Sequence, residues 1–162
     1  MPILQPYLHF EDLELEAVYQ SAARTVTEAD VVAFAGFSGD FNPIHIDHEF
    51  AKKTAFRKPI AHGFGVFCIA SGLGVMTPLV RTLAMLRVNK WTFVLPVFAG
   101  DTIHCVTRVV TKELRGRGKR GEVAWYRGVV NQDGKTVQEG ELVTLVEARP
   151  LAKTDVGGSP AE

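Results

Sequence analysis

Between Gly63 and Met76 the chain reads GFGVFCIASGLGVM, an apolar run that carries glycine at four of its positions. Wound as a helix, it places apolar residues on nearly every face, so the helix must be surrounded by protein. The run is too short to span a bilayer and reads as a core helix. Each glycine costs a helix interior roughly 1 kcal/mol relative to alanine unless close packing offsets it. Gly63, Gly72 and Gly74 lack the side chains that would hold a neighbouring sheet away, so a sheet pressed tightly against this helix is predicted. Thr77-Pro78 ends or redirects it.

The rest of the chain supplies that sheet. After Arg81 the pattern turns to strands near 85–95, 101–114, 121–131 and 135–148, with alternation clearest in Ile103, Cys105, Thr107 and Val109. Asn131-Gln132-Asp133-Gly134 reads as a hairpin turn and Arg115 to Gly121 as a longer one, so consecutive hairpins predict an antiparallel meander. Upstream, 17–26 alternates as a first strand. Thr27 then caps a helix over 28–37, with Val31, Phe34, Ala35 and Phe37 inward and Gly39 at its end. Asp47 caps a further turn or two, His48 to Lys53. The fold class is therefore α+β, a curved antiparallel sheet wrapped around a long central helix. With 162 residues and 46% hydrophobic content the chain suits one domain over 1–150. The polar stretch 151–162 is expected to be a disordered tail.

Charge and cysteine usage exclude several classes. Eighteen basic residues balance eighteen acidic ones, so no global field draws the chain to nucleic acid or to an anionic membrane. The start of the chain shows neither a signal peptide nor an Arg-rich transit segment, which makes a cytoplasmic location the expectation. Cys68 and Cys105 sit in apolar surroundings without a C-x-x-C and read as buried free thiols. The five histidines lack ligand spacing, so no metal is expected.

The chemistry-bearing residues cluster just before the helix. Ser38-Gly39-Asp40-Phe41-Asn42-Pro43-Ile44-His45 places a carboxylate and an imidazole five positions apart around a proline. Proline fixes its own φ and keeps Asn42 extended, so a rigid turn can hold Asp40 and His45 toward one pocket. Alone, such a pattern is more often a helix end followed by a loop with an ordinary histidine. The order and distance of Ala61-His62-Gly63, about seventeen residues on, reverse those odds. The run G-D-F-N-P-I-H-I-D, then K-T-A-F-R-K-P-I-A-H-G-F, then Ser71-Gly72-Leu73 resembles the MaoC-like, (R)-specific enoyl-CoA hydratases of the hydratase 2 type, which have the hot-dog fold. The resemblance runs from about Tyr7 to Glu147 and includes Leu95 to Asp101. Phe37 departs from it, where an aliphatic residue or glycine commonly precedes S-G-D.

The resemblance implies a hydro-lyase adding water to a trans-2-enoyl-CoA to give an (R)-3-hydroxyacyl-CoA, or the reverse, without cofactor, and a homodimer at least. Hydration needs a base for the attacking water, a proton for C2 and stabilisation of charge on the thioester oxygen. Asp40 and His45 are expected to hold the water between them, with Asp40 chiefly as base and His45 orienting the water and sharing the proton transfer, although the sequence does not fix which does which. The backbone N–H of Gly63 corresponds to the family's oxyanion donor, and a helix N-terminus favours such charge. Asn42 braces the loop, and Ser71 matches a position lining the family's site; a serine in a buried helix also often bonds back to a carbonyl four residues earlier. His62 reads as a cap or pocket histidine outside the catalytic set. Phe37, Phe41, Phe64 and Phe67 would narrow an acyl tunnel. Alternatives are a dehydratase of a branched or carboxylated hydroxyacyl-CoA or of an acyl-carrier-protein thioester, a thioesterase, and a non-catalytic acyl-CoA-binding subunit. The basic stretch Arg115, Arg117, Lys119, Arg120 is either a contact for the CoA phosphates or a solvated hairpin.

Overall fold

The structure is a computed structural model and describes residues 7–149, so the tail expected at 151–162 lies outside the described residues. Two short strands, β1 (Val18–Gln20) and β2 (Arg24–Thr25), replace the single strand expected over 17–26. They pair with different stretches of one long strand, β4 (Thr102–Arg115), and Ser21 lies between them, its backbone N–H bonded to Cys105. Helix α1 spans Glu28–Ser38 and is capped by Thr27, whose hydroxyl accepts the Asp30 N–H while the Asp30 carboxylate accepts the Thr27 N–H at 2.8 Å. Its far end is Gly39 in the left-handed conformation, φ 77°, a geometry that suits glycine. Val31 and Ala35 are buried as expected, but Phe37 is 89% exposed and packs into no core.

Two single-turn helices follow, α2 (Pro43–Ile46) and α3 (His48–Ala51). Pro43 does not interrupt a helix here. It begins one, at the first-turn position where its missing N–H costs nothing, with Asn42 as the cap. The central helix α4 (Gly63–Val75) lies against the sheet through Val66 and Ala70, which share a core with Ile103, Cys105, Val129 and Val137. The helix is not enclosed as its all-round apolar pattern predicts: Phe64 is 68% exposed, and Val75, Met76 and Cys68 also face outward. Cys68 is therefore not a buried thiol, whereas Cys105 is. The glycines divide similarly. A Cβ at Gly63 would meet the Phe93 ring at 2.8 Å and one at Gly74 would overlap the Arg127 guanidinium, but Gly72 faces open space.

Strands β3 (Thr82–Phe93), β5 (Arg120–Val130) and β6 (Thr136–Glu147) complete the sheet with order β1-β4-β5-β6-β3. The meander holds for β4, β5 and β6. β3 breaks it by pairing with β6 at the far edge rather than with β4, the strand that follows it in sequence. Inward residues of β4 and β5 divide between two cores, one around α4 and one around Phe10, Leu13, Val109, Val123 and Trp125. Among the described residues no helix is long and apolar enough to cross a membrane.

Candidate active site

The local sequence after α1 folds as a chain of side-chain-to-backbone bonds. The Ser38 hydroxyl donates to the Phe34 carbonyl at 2.7 Å and accepts the Asp40 N–H; Asp40 Oδ1 accepts the Asn42 N–H at 3.2 Å; Asn42 Oδ1 accepts the Ile44 N–H at 3.1 Å. Each short polar residue thus satisfies a backbone donor that the turn would leave free. Asn42 holds the turn through this bond. At its end His45 Nδ1 lies 2.8 Å from the Ile60 carbonyl. A carbonyl only accepts, so Nδ1 carries the proton and the lone pair of a neutral ring is on Nε2. Nε2 faces Asp40 Oδ2 across 3.9 Å. That gap exceeds a hydrogen bond, and an oxygen at ordinary hydrogen-bond length from both atoms fits as the apex of a triangle on it.

His62 is placed at the same point by a route the sequence did not reveal. It is 3% exposed, its Nε2–H donates to the Asp40 backbone carbonyl at 2.9 Å, and its ring stacks on His45 with centroids 3.9 Å apart and planes at 30°. The Phe34 ring lies 5.0 Å from it. His62 thereby holds the Asp40 backbone and the His45 ring, two functions invisible in a tripeptide A-H-G. It is also the N-cap of α4, whose first internal bond runs from the Val66 N–H to the His62 carbonyl. The N–H groups of the preceding first turn, Gly63 among them, have no helical acceptor.

A cleft of about 410 Å³ is lined by His45, Gly63, Phe93, Leu95 and Gln138. Gln138 Nε2 donates to the Gly63 carbonyl at 2.9 Å, and its Oε1 accepts the Trp91 indole N–H at 3.1 Å, so a strand-borne amide fixes the start of α4. Nothing in the sequence marks Gln138, because a glutamine in an alternating strand reads as an outward residue. His45 and Gly63 line this cleft and Asp40 faces His45 beside it, whereas Ser71 lies elsewhere. It lies further along α4 in a separate cavity, and its buried hydroxyl has no partner, not even the carbonyl four residues earlier.

Asp40, His45 and His62 offer ligand atoms within 4.8 Å of one another, a grouping that ligand spacing in the sequence did not suggest. Imidazoles bind metals in the ring plane, and two rings stacked with centroids 3.9 Å apart hold their lone pairs in two separate planes rather than one. The trio therefore fits proton transfer better than metal coordination.

The basic hairpin tip is remote from this site. Val129 pairs with Gln138 beside Gly63, while Arg120 lies nine residues away on the same strand, about 30 Å at the rise of a strand. Arg115 pairs there with Glu113 at 2.8 Å.

A profile of the MaoC like domain matches residues 10–129. The chain belongs to the MaoC-like dehydratase family. It is 35% identical over 142 residues to an (R)-specific enoyl-CoA hydratase of Rhodospirillum rubrum, covering 87% of this chain and 93% of that one. It is 33% identical over 156 residues to a 3-hydroxybutyryl-CoA dehydratase of Methylorubrum extorquens, covering 93% and 94%. The solved structure of a monoamine oxidase regulatory protein from Archaeoglobus matches with TM-score 0.81 at 36% identity, covering 89% of this chain and 97% of that one. The MaoC-like chain has the hot-dog fold, an antiparallel sheet with a central helix.

Proposed function

We propose that this MaoC-like protein interconverts a trans-2-enoyl-CoA and an (R)-3-hydroxyacyl-CoA by adding or removing water. The observation that carries the reading is the Asp40–His45 pair, 3.9 Å apart with its tautomer set by Ile60, beside the N-terminus of α4. The names of the two curated relatives support the thioester class.

In hydration, a water between the pair gives one hydrogen bond to Asp40 Oδ2 and one to His45 Nε2, leaving an oxygen lone pair for C3. As the O–C3 bond forms, Asp40 takes the proton and negative charge moves through C2 to the thioester oxygen. The Gly63 N–H and the positive end of α4 stabilise that charge. A proton shared by the pair then goes to C2, which completes the addition of one water, and dehydration is the reverse. His45 and Asn42 position; Asp40 is the principal base.

Purified protein incubated with crotonyl-CoA and with longer enoyl-CoAs should remove the absorbance of the conjugated thioester. Release of thiol from an acyl-CoA without loss of that absorbance would identify a thioesterase instead. Asp40→Asn and His45→Gln should each fold normally and lose roughly 10²-fold or more in kcat, the scale for a positioned acid–base group. Near wild-type turnover in either overturns the assignment.

The active form we propose is a homodimer. β3 is an edge strand, and Leu83, Met85, Leu86 and Val88 on it are exposed, as are Phe64, Val75 and Met76 of α4. An unpaired apolar edge beside an uncovered apolar helix face is suited to a second copy. Sedimentation of an active monomer at assay concentration would defeat this.

A further inference from the structure

At the other end of α4 the core contains a charge that no described residue neutralises. Along the inward row of β5, Val123, Trp125, Arg127 and Val129, the arginine is 8% exposed. No carboxylate among the described residues pairs with it. Its cross-strand neighbours are Thr107 on β4 and Gly140 on β6. Glu139 and Glu141, either side of Gly140, are engaged elsewhere, by the Tyr126 hydroxyl at 2.7 Å and by Asn89 Nδ2 at 2.9 Å. The nearby Cys105 is no counter-ion: burial pushes its thiol up to about 11, and its Sγ–H donates to the Ala70 carbonyl. An isolated buried cation is costly, so buried charges are normally paired.

The same region holds further unmet polar groups. Arg127 Nε, Ser71 Oγ and Thr107 Oγ1 are all buried without a hydrogen-bond partner, and all three residues line one cavity of about 230 Å³. Apolar Val75, Met85, Trp125 and Leu142 form much of its remaining wall. Gly74 leaves room for the guanidinium. Orphaned groups of this kind call for an explanation, and three donors converging on a mainly apolar cavity suit one anionic acceptor on an apolar stem.

We propose that this cavity receives a carboxylate at the far end of the acyl chain, with Arg127 as the residue that selects it and Ser71 and Thr107 as supporting donors. The proposal rests on the thioester reading above. Gly63 and Ser71 are eight residues apart on α4, about 12 Å of rise. An extended chain of single bonds advances about 1.2 Å per bond, so a chain of about ten carbons spans that distance and one of four does not.

The test compares trans-2-decenedioyl-CoA, which ends in a carboxylate, with trans-2-decenoyl-CoA, which does not. Wild type should favour the diacid thioester by about tenfold or more in kcat/KM, the scale of a bidentate charged contact. Arg127→Met should abolish the preference while changing turnover of the neutral substrate little, and Arg127→Lys should keep part of it. Equal use of both substrates by wild type, or an equal loss on both in Arg127→Met, overturns the proposal. Should Arg127→Met not fold, a wild-type series of diacid thioesters decides: preference should peak near ten carbons and vanish at four, and a flat series overturns it. If no thioester is turned over, the hydratase reading fails, and the pocket is judged by binding alone. Sebacate that raises the melting temperature of wild type but not of Arg127→Met supports the pocket, and no shift with wild type overturns it.

Discussion

The two ends of α4 rest on one sheet and satisfy their polar groups in opposite ways. At the N-terminal end every braced group has a partner: His45 Nδ1 on Ile60, His62 Nε2 on Asp40, Gln138 on Gly63. What remains free there is one edge of the Asp40 carboxylate facing His45 Nε2, and the buried His62 Nδ1. At the C-terminal end the bracing is absent, and Ser71, Thr107 and Arg127 present unmet atoms to a cavity. A site that moves protons needs a few free atoms held stiffly, whereas a site that binds can leave its donors unpaired until the ligand supplies the acceptor. Under the roles proposed above, the difference separates a place for chemistry from a place for selection.

The sharpest way to break that contrast is at the N-terminal end. If Asp40 and His45 hold one water, the double variant Asp40→Asn/His45→Gln should lose far less than the product of the single losses of roughly 10²-fold each. Steady-state kinetics showing fully multiplicative losses would make them independent groups.

A second test loads the other end. Gly74→Ala adds a methyl where the Arg127 guanidinium lies, and overpacking of this kind costs about 1–3 kcal/mol. Its melting temperature should fall while kcat on a neutral enoyl-CoA holds. A large drop in that kcat would show that the two ends are not separable.

A smaller effect sharpens the role of His62. His62→Phe keeps a stacked ring and loses the bond to the Asp40 carbonyl, worth about 1 kcal/mol, so kcat should fall by about fivefold. An unchanged kcat would reduce His62 to filler.

The smallest concerns α1, which carries Phe34 against His62. The Thr27 N–H, then its hydroxyl, holds Asp30 below the usual carboxylate range, with Arg24 adding to this. A depressed folded value means the stabilisation is present above the unfolded value near 3.8 and is lost as pH falls through the lower folded value. Asp30→Asn should therefore flatten the acid side of a plot of urea midpoint against pH. An identical acid slope would mean that the cap contributes nothing there.

The legible parts were those whose cause is local. Thr27 and Gly39 bound α1, Asp47 caps α3, Asn131 to Gly134 turns a hairpin, and Asp40 faces His45 across a turn in which only four residues separate them. The illegible parts depend on neighbours distant in sequence. β3 pairs with β6 and not β4, so periodicity located the strand without its partner. The apolar pattern of α4 promised enclosure, yet Phe64 and Cys68 face outward in a single chain, because apolarity specifies burial without saying by what. Gln138 and Arg127 each look like one polar residue in an alternating strand, and only the fold reveals that both are turned inward.

The order of assembly follows from the placement of β3. Its residues pair with a strand made well after it: Thr82 meets Val146 and Phe93 meets Gln138, separations of 64 and 45 residues. Pairings across such long loops form slowly. On a growing chain the turn from Ser38 to His45 can close early, while Gln138, which fixes the start of α4, arrives only with β6. The proposed activity should thus require β6 to be in place, and truncation anywhere within β6 should remove it before it removes the Asp40 turn.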